Sequence, residues 1–227
     1  MQITEIYKSI QGESTHAGLA CVFVRLTGCN LRCTWCDSEY TFQGGRKMAV
    51  EEVMSEVLRL SPDGGLVEIT GGEPMLQERE VGQLMQRLLG DGYTVLLETS
   101  GERPLDRVPG GVIKIVDVKC PDSGEGGTFC HDNLEVLTLH DEVKFVLSSR
   151  ADYDFACDFI ARHKLPKRVH AILFSPAFRK DAAGARDSSH CLLDPQDLAE
   201  WMTADNIPAR LNLQLHKFIW NPSMKGV

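Results

Sequence analysis

The stretch ACVFVRLTGCNLRCTWCD (20–37) decides the fold. Its first half is a compact apolar run with the Val, Phe and Leu content of a strand. Its second half places Cys29, Cys33 and Cys36 at C-x3-C-x2-C spacing in a loop directly after that strand. A buried strand that delivers polar or ligating residues at its end fits a parallel α/β sheet, where ligands bind at the carboxyl edge of the strands.

Outward from that stretch the pattern repeats. A helix is expected over 47–61, with Val50, Val53, Met54, Val57 and Leu58 on one face. LVEITGGEP (66–74) reads as a strand ending in glycines, and 76–92 as a helix stopped by Gly-Asp-Gly. Segments 93–101, 111–121 and 141–149 read as apolar strands, 151–164 as a helix and 169–176 as a strand. A helix over 194–206 and a last strand over 209–218 (ARLNLQLHKF) complete the series. Such alternation indicates a parallel sheet covered on both sides. Polar residues gather after the strands, at Thr70 to Glu73, Thr99 to Gly101, Lys119 to Pro121 and Ser175-Pro176.

The chain, at 227 residues, is short for a closed eight-unit barrel of about 250. The link between the strands near 97 and 113 is also too short for a full helix. The expected fold class is therefore α/β, a partial, open parallel (β/α) barrel, in a single domain spanning 1–227. Segments 121–135 and 177–193 read as long loops.

Bulk properties narrow the function classes. A formal net charge of −8 argues against a general nucleic-acid or membrane-surface binder. No run has the apolar length of a bilayer span, and MQITEIYKSIQGES lacks the basic and apolar regions of a secretory signal. A cytoplasmic location is the expectation. In a reducing compartment the eight cysteines read first as metal or redox ligands.

Three thiols set among Asn30, Arg32, Thr34 and Asp37 make poor core. Structural zinc wants four ligands, commonly in pairs. The fourth would come from Cys120, Cys130, Cys157, Cys191 or a histidine. The sharper reading is an iron–sulfur cluster held by three thiolates, with one iron left open to a ligand.

Cys33-Thr34-Trp35-Cys36 after Cys29 resembles the cluster loop of the radical S-adenosylmethionine (SAM) superfamily. Gly71-Gly72-Glu73-Pro74, after the next strand, resembles its GGEP motif. The resemblance implies a [4Fe-4S] cluster on Cys29, Cys33 and Cys36, with SAM chelated to the open iron. It also implies a 5′-deoxyadenosyl radical that abstracts hydrogen from the substrate. YKSIQGEST (7–15), CDSEY (36–40), LETSG (97–101), DVKCP (117–121) and LQLHKFIWNP (213–222) are similar to one branch, the 7-carboxy-7-deazaguanine synthases. That branch implies ring contraction of 6-carboxy-5,6,7,8-tetrahydropterin with loss of ammonia, in queuosine and 7-deazapurine biosynthesis. SAM would be recycled and Mg²⁺ required. A reductant such as flavodoxin or ferredoxin and a homodimeric state are implied as well.

By the same resemblance Ile10, Gln11, Gly12, Arg25 and Thr70 contact the substrate, with Glu13 beside them. Arg25 suits a carboxylate through two parallel bonds, and Gln11 to Glu13 suit pterin N–H groups. Ser38 stands where the branch binds Mg²⁺. Gly72, Glu73, Cys120, Pro121, Asp122, Ser175, Pro176, Ala177 and Phe178 would surround SAM. Pro222 would touch the substrate from a tail, 214–227, that closes the site, although five residues follow it here. His216 reads equally as a core or edge histidine of the last strand. No protein acid or base is expected, because hydrogen abstraction needs none.

Two other readings use the same cysteines. One is a glycyl-radical enzyme activase, which would need an open docking face for a protein. The other is a zinc- or iron–sulfur-binding interaction module, which leaves GGEP and the polar strand ends unexplained.

Overall fold

The computed structural model describes residues 1–180, 186–221 and 224–226. The strands are β1 (Gln2–Ile10), β2 (Ala20–Leu26), β3 (Arg46–Lys47), β4 (Leu66–Gly71), β5 (Thr94–Thr99), β6 (Ile113–Asp117), β7 (Glu142–Leu147), β8 (Ala171–Pro176) and β9 (Arg210–Leu211). They form one sheet in the order β3-β1-β2-β4-β5-β6-β7-β8-β9. From β2 onward the run is parallel, while β1 lies antiparallel to both β2 and β3. The order is linear, so the sheet is an open partial barrel, as expected. The helices are α1 (Val50–Leu60), α2 (Glu78–Gly90), α3 (Arg150–His163), α4 (Pro195–Ala204) and α5 (His216–Ile219). Among the described residues no helix is long and apolar enough to cross a membrane.

Strand alternation assigns the two faces. Val22, Val24 and Leu26 of β2 join Val67, Ile69, Val95, Leu97, Val116 and Phe145 in the main core, together with helical residues such as Val53, Leu84, Phe159 and Leu198. Burying each such side chain contributes about 1.5–3 kcal/mol. The opposite face carries a small apolar layer of Cys21, Phe23, Leu66, Leu96 and Ile115, with no helical member. The expectation of helices on both sides is therefore corrected: the second face is concave and polar above that layer.

Three local expectations also change. The first strand of the sequence pattern, at 20–26, is the second of the fold, because 2–10 is a nine-residue strand as well. Its inward side chains Glu5 and Tyr7 both bond Arg25, and Tyr7 also stacks on Phe23 of the small apolar layer, so polar groups hide the alternation. The last strand shrinks to Arg210–Leu211, followed by α5. Asn212 and Gln214 turn inward there to bond the Ser14 carbonyl and the Glu13 carboxylate. Leu58 lies on the open side of α1, 55% exposed, while Val53, Met54 and Val57 are buried. No helix joins β5 to β6, as the short link required. Loop 121–135 holds two single-turn helices, at Pro121–Ser123 and His131–Glu135.

Candidate active site

The concave face opens at the carboxyl ends of the strands into a cavity of about 280 Å³. Arg25 and Thr70 are register partners on β2 and β4, so both point into it side by side. Arg25 donates through Nε to Glu5 Oε1 (2.9 Å) and through Nη2 to the Tyr7 hydroxyl (2.8 Å). The Tyr40 hydroxyl donates to the same Glu5 oxygen (2.8 Å). The guanidinium is thus held in plane by its Nε edge, and its Nη1 nitrogen has no partner among the described residues. That leaves the Nη1/Nη2 side of the fork for a planar anion.

The cysteine loop forms one wall, where Cys29, Cys33 and Cys36 all line the cavity as free thiols. The loop is pinned from outside by Thr34 N–H to the Ser123 carbonyl (2.8 Å) and by Arg32 N–H to Glu125. The Arg32 guanidinium turns back to the carbonyls of Cys29 (2.8 Å) and Leu31 (2.7 Å). GGEP supports the loop by close approach. A Cβ on Gly72 would sit 2.1 Å from the Gly28 carbonyl oxygen, and one on Gly71, whose φ is +136°, 2.3 Å from that of Leu26. Any larger residue at Gly72 would push the cysteine loop off β4, and one at Gly71 would push β2 from β4 at Leu26.

The donor set fits an iron–sulfur cluster. Three soft thiols share one wall, and no fourth cysteine lines the cavity. Among the described residues no three His, Cys, Asp or Glu side chains converge as one metal ion requires. Burial raises the Cys29 thiol and pushes Cys33 up to about 11, with the Lys119 ammonium acting against it. Thiolate formation there is left to the metal. Ser38 Oγ lies 3.7 Å from Cys36 Sγ and also lines the cavity, so a hydroxyl ligand is available beside the loop.

The expected substrate residues Ile10, Gln11, Gly12, Glu13, Arg25 and Thr70 all line the cavity. Pro222 lies outside the described residues. Of the expected SAM residues, Gly72 and Phe178 line it, whereas Glu73, Cys120, Pro121, Asp122, Ser175, Pro176 and Ala177 do not. Cys120, Ser175 and Ala177 are buried behind the wall. Asp122 instead accepts from Ser149 Oγ (2.5 Å) at the start of α3. Glu73 is fully buried, and its carboxylate accepts from Met75 N–H, Thr99 Oγ1, Ser100 N–H and Ser100 Oγ at 2.7–2.9 Å. It braces the ends of β4 and β5. Glu73→Gln replaces an acceptor oxygen with a donor, so it costs about 1–3 kcal/mol of stability, measurable by urea unfolding.

Lys119, expected among the polar strand ends, lines the cavity, and so do residues the sequence pattern did not single out: Glu68, Glu98, Asp117, Lys144, Gln214 and Lys217. Lys144, on β7 opposite Asp117, bonds Glu13 Oε2 (2.8 Å) and Glu98 Oε1 (2.5 Å). Gln11 Nε2 donates to Glu68 Oε2 (2.5 Å), and Lys119 pairs with Asp117 (2.7 Å). The signal was present in the alternation of VEIT, LLET, IVDVK and EVKF, where charges interrupt strands at the inward positions. His216 opens α5 and lines the cavity, so tight against Gly12 that a Cβ there would lie 2.3 Å from His216 Nδ1. Lys217 Nζ bonds Asp37 Oδ2 (2.6 Å) and packs on the Phe178 ring (4.9 Å), tying the tail to the cysteine loop.

Burial raises the carboxyls of Glu68 to about 7 and Glu98 to about 8, above the usual range near 4.5. Both bind a proton in the folded state that the unfolded chain releases. Their contribution is full below about pH 4.5 and is lost as pH rises through 7 and 8. Above pH 6.5, where the buried His216 no longer acts in the opposite sense, the ligand-free protein should therefore show a Tm that falls with rising pH through 8, and Glu98→Gln should flatten that slope. An equal slope in the variant would contradict the assignment.

This is the arrangement of a radical SAM protein. Residues 23–114 match the model of the Radical SAM superfamily. The chain is 65% identical to a 7-carboxy-7-deazaguanine synthase of Koribacter versatilis, over the full length of both. It is 42% identical to a protein of the same name from Chlorobaculum tepidum, over 100% of this chain and 97% of that one. The chain belongs to the 7-carboxy-7-deazaguanine synthase family. In fold it resembles the crystal structure of QueE from Escherichia coli, with a TM-score of 0.72 and 22% identity over 93% of this chain and 92% of that one. It also resembles SuiB from Streptococcus suis, at a TM-score of 0.55 over 84% of this chain and 47% of that one.

Proposed function

We propose that the chain converts 6-carboxy-5,6,7,8-tetrahydropterin to 7-carboxy-7-deazaguanine and ammonia. The observation that carries this reading is that one cavity is lined at once by three free thiols, the Arg25 fork and the Gln11–Glu13 turn. Cys29, Cys33 and Cys36 would hold a cluster that binds SAM, and that group would supply radical hydrogen-abstraction chemistry at this wall of the cavity.

The protein's own residues bind, orient and exclude. Arg25 holds the substrate carboxylate through its Nη1/Nη2 side, with Thr70 alongside. Glu13, kept ionised by Lys144, and the main chain of Gln11 and Gly12 receive the pyrimidine N–H groups. Ser38 would offer its hydroxyl to Mg²⁺, a hard ion that needs few protein ligands. Gly72 and Phe178 border the SAM side. The tail, held by Lys217 to Asp37, covers the opening and keeps water from the reacting centre. The carboxylate-bearing pterin, with its flat array of donors and acceptors, suits these groups better than a protein glycine does.

A flavodoxin or ferredoxin as electron donor, a homodimer and a cytoplasmic location complete the proposal, by resemblance. Comparing 6-carboxy-5,6,7,8-tetrahydropterin with the same pterin lacking the carboxyl group, with and without a Mg²⁺ chelator, tests the substrate assignment. Ammonia release only from the carboxylated pterin, lowered by chelation, is expected. Equal turnover of both pterins would refute the role given to Arg25.

A further inference from the structure

The cavity floor holds more charge than the binding groups account for. Lys144 is 5% exposed. Its ammonium reaches Glu13 from the turn after β1, Glu98 from β5 and, at 3.9 Å, Asp117 from β6. No other cation is bonded to Glu13 among the described residues. The second Glu13 oxygen takes Gln214 Nε2 (2.9 Å), and the Glu13 N–H donates to Gln11 Oε1 (3.1 Å). Gln11 in turn donates to Glu68 on β4. One lysine thus joins the amino-terminal turn, the middle strands and the carboxy-terminal segment around the same space.

We propose that Lys144 is a positioning residue for substrate recognition: from its place between Glu13 and Glu98 it fixes the Glu13 carboxylate on the cavity floor as an acceptor for the substrate. The inference rests on the reading of Glu13 as a substrate contact. Four carboxylates, Glu13, Glu68, Glu98 and Asp117, share the floor with two ammonium groups, Lys144 and Lys119. Such an excess of negative charge out of water is relieved by protonation. Burial alone would push the Glu13 carboxyl up. Lys144, helped by His216 and Gln214, reverses this and holds it at about 2. The other groups facing this cluster are Glu68 on β4, Arg25 on β2, Asp117 and Lys119 at the end of β6, and His216 on α5.

The test is a double-mutant cycle with Lys144→Met and Glu13→Gln, read in two ways. The first is the Kd for 6-carboxy-5,6,7,8-tetrahydropterin by equilibrium dialysis without SAM or reductant. The second is the pH profile of kcat/KM. Lys144→Met should raise Kd and KM by about tenfold or more, with a smaller change in kcat, because it strips the partner from a buried charge. The double variant should bind no worse than Glu13→Gln alone. Without Lys144 the Glu13 carboxyl rises, so Lys144→Met should gain an acid limb absent from the wild type. That limb should vanish in the double variant. If Lys144→Met is not recovered folded, Lys144→Gln carries the same expectations.

Additive effects, or no new acid limb, would overturn the inference while wild-type turnover stands. A wild type that does not turn over the pterin would overturn the functional reading, and this inference with it. A merely structural lysine would lower stability without producing a Glu13-dependent limb.

Discussion

Cys36→Ala reduces turnover of the pterin to background and lowers the iron and sulfide retained after anaerobic reconstitution. Each of the three thiols that line the cavity is needed, because no spare thiol reaches the wall. Cys120 is buried with its sulfur toward the Val118 carbonyl and does not line the cavity. Cys130, Cys157 and Cys191 also lie outside the lining. A water or hydroxide cannot match a thiolate as an iron ligand. Cys36 itself is only partly buried, so its truncation leaves the core intact, and the circular dichroism spectrum should be that of the wild type. Retained turnover in this variant would refute the cluster assignment.

Arg25→Met lowers kcat/KM by about 30- to 1,000-fold, the equivalent of about 2–4 kcal/mol for a charge-assisted pair at a partly buried site. Two losses combine. The substrate carboxylate loses its fork, and Glu5, which accepts from both Arg25 and Tyr40, loses its cation. The loss should be shared between KM and kcat, because the carboxylate is attached to C6, at or beside every saturated ring C–H, so Arg25 both binds the substrate and sets the position of the reacting carbon. Arg25→Lys keeps the charge but not the planar pair of donors, so it should recover only part of the loss. Steady-state kinetics on the two variants and the wild type decide the matter. Equal KM values across all three would remove Arg25 from the binding site.

The sequence reading reached the parallel strands because each is a dense apolar run that only a buried strand explains. It reached the cysteine loop and GGEP because their residue types serve chemistry or close approach, not core. It missed what depends on alternation with polar side chains inside. The inward positions of β1 carry Glu5 and Tyr7, which look like a solvent face until the second face of the sheet is known to be a polar cavity. ARLNLQLHKF alternates as a strand should. Yet Asn212 and Gln214 bond the turn after β1, and the chain coils into α5 to bring His216 against Gly12. Lys144 was passed over for the same reason. A lone lysine in EVKF reads as a surface residue, and only the curvature of the sheet brings it to Glu13, 131 positions away in the chain. Glu73 shows the converse. Its motif pointed to the cofactor, and the fold uses its carboxylate to lock β4 to β5.

The central claim is tested most directly by one anaerobic turnover assay. The full-length protein is reconstituted with iron and sulfide, then given SAM, Mg²⁺, a reductant and 6-carboxy-5,6,7,8-tetrahydropterin, and the products are identified by mass spectrometry. The account predicts 7-carboxy-7-deazaguanine and ammonia in equal amounts, with SAM undepleted. Release of 5′-deoxyadenosine with no deazapurine would contradict the substrate and restore the activase reading. A colourless protein that takes up zinc and forms neither product would contradict the account as a whole.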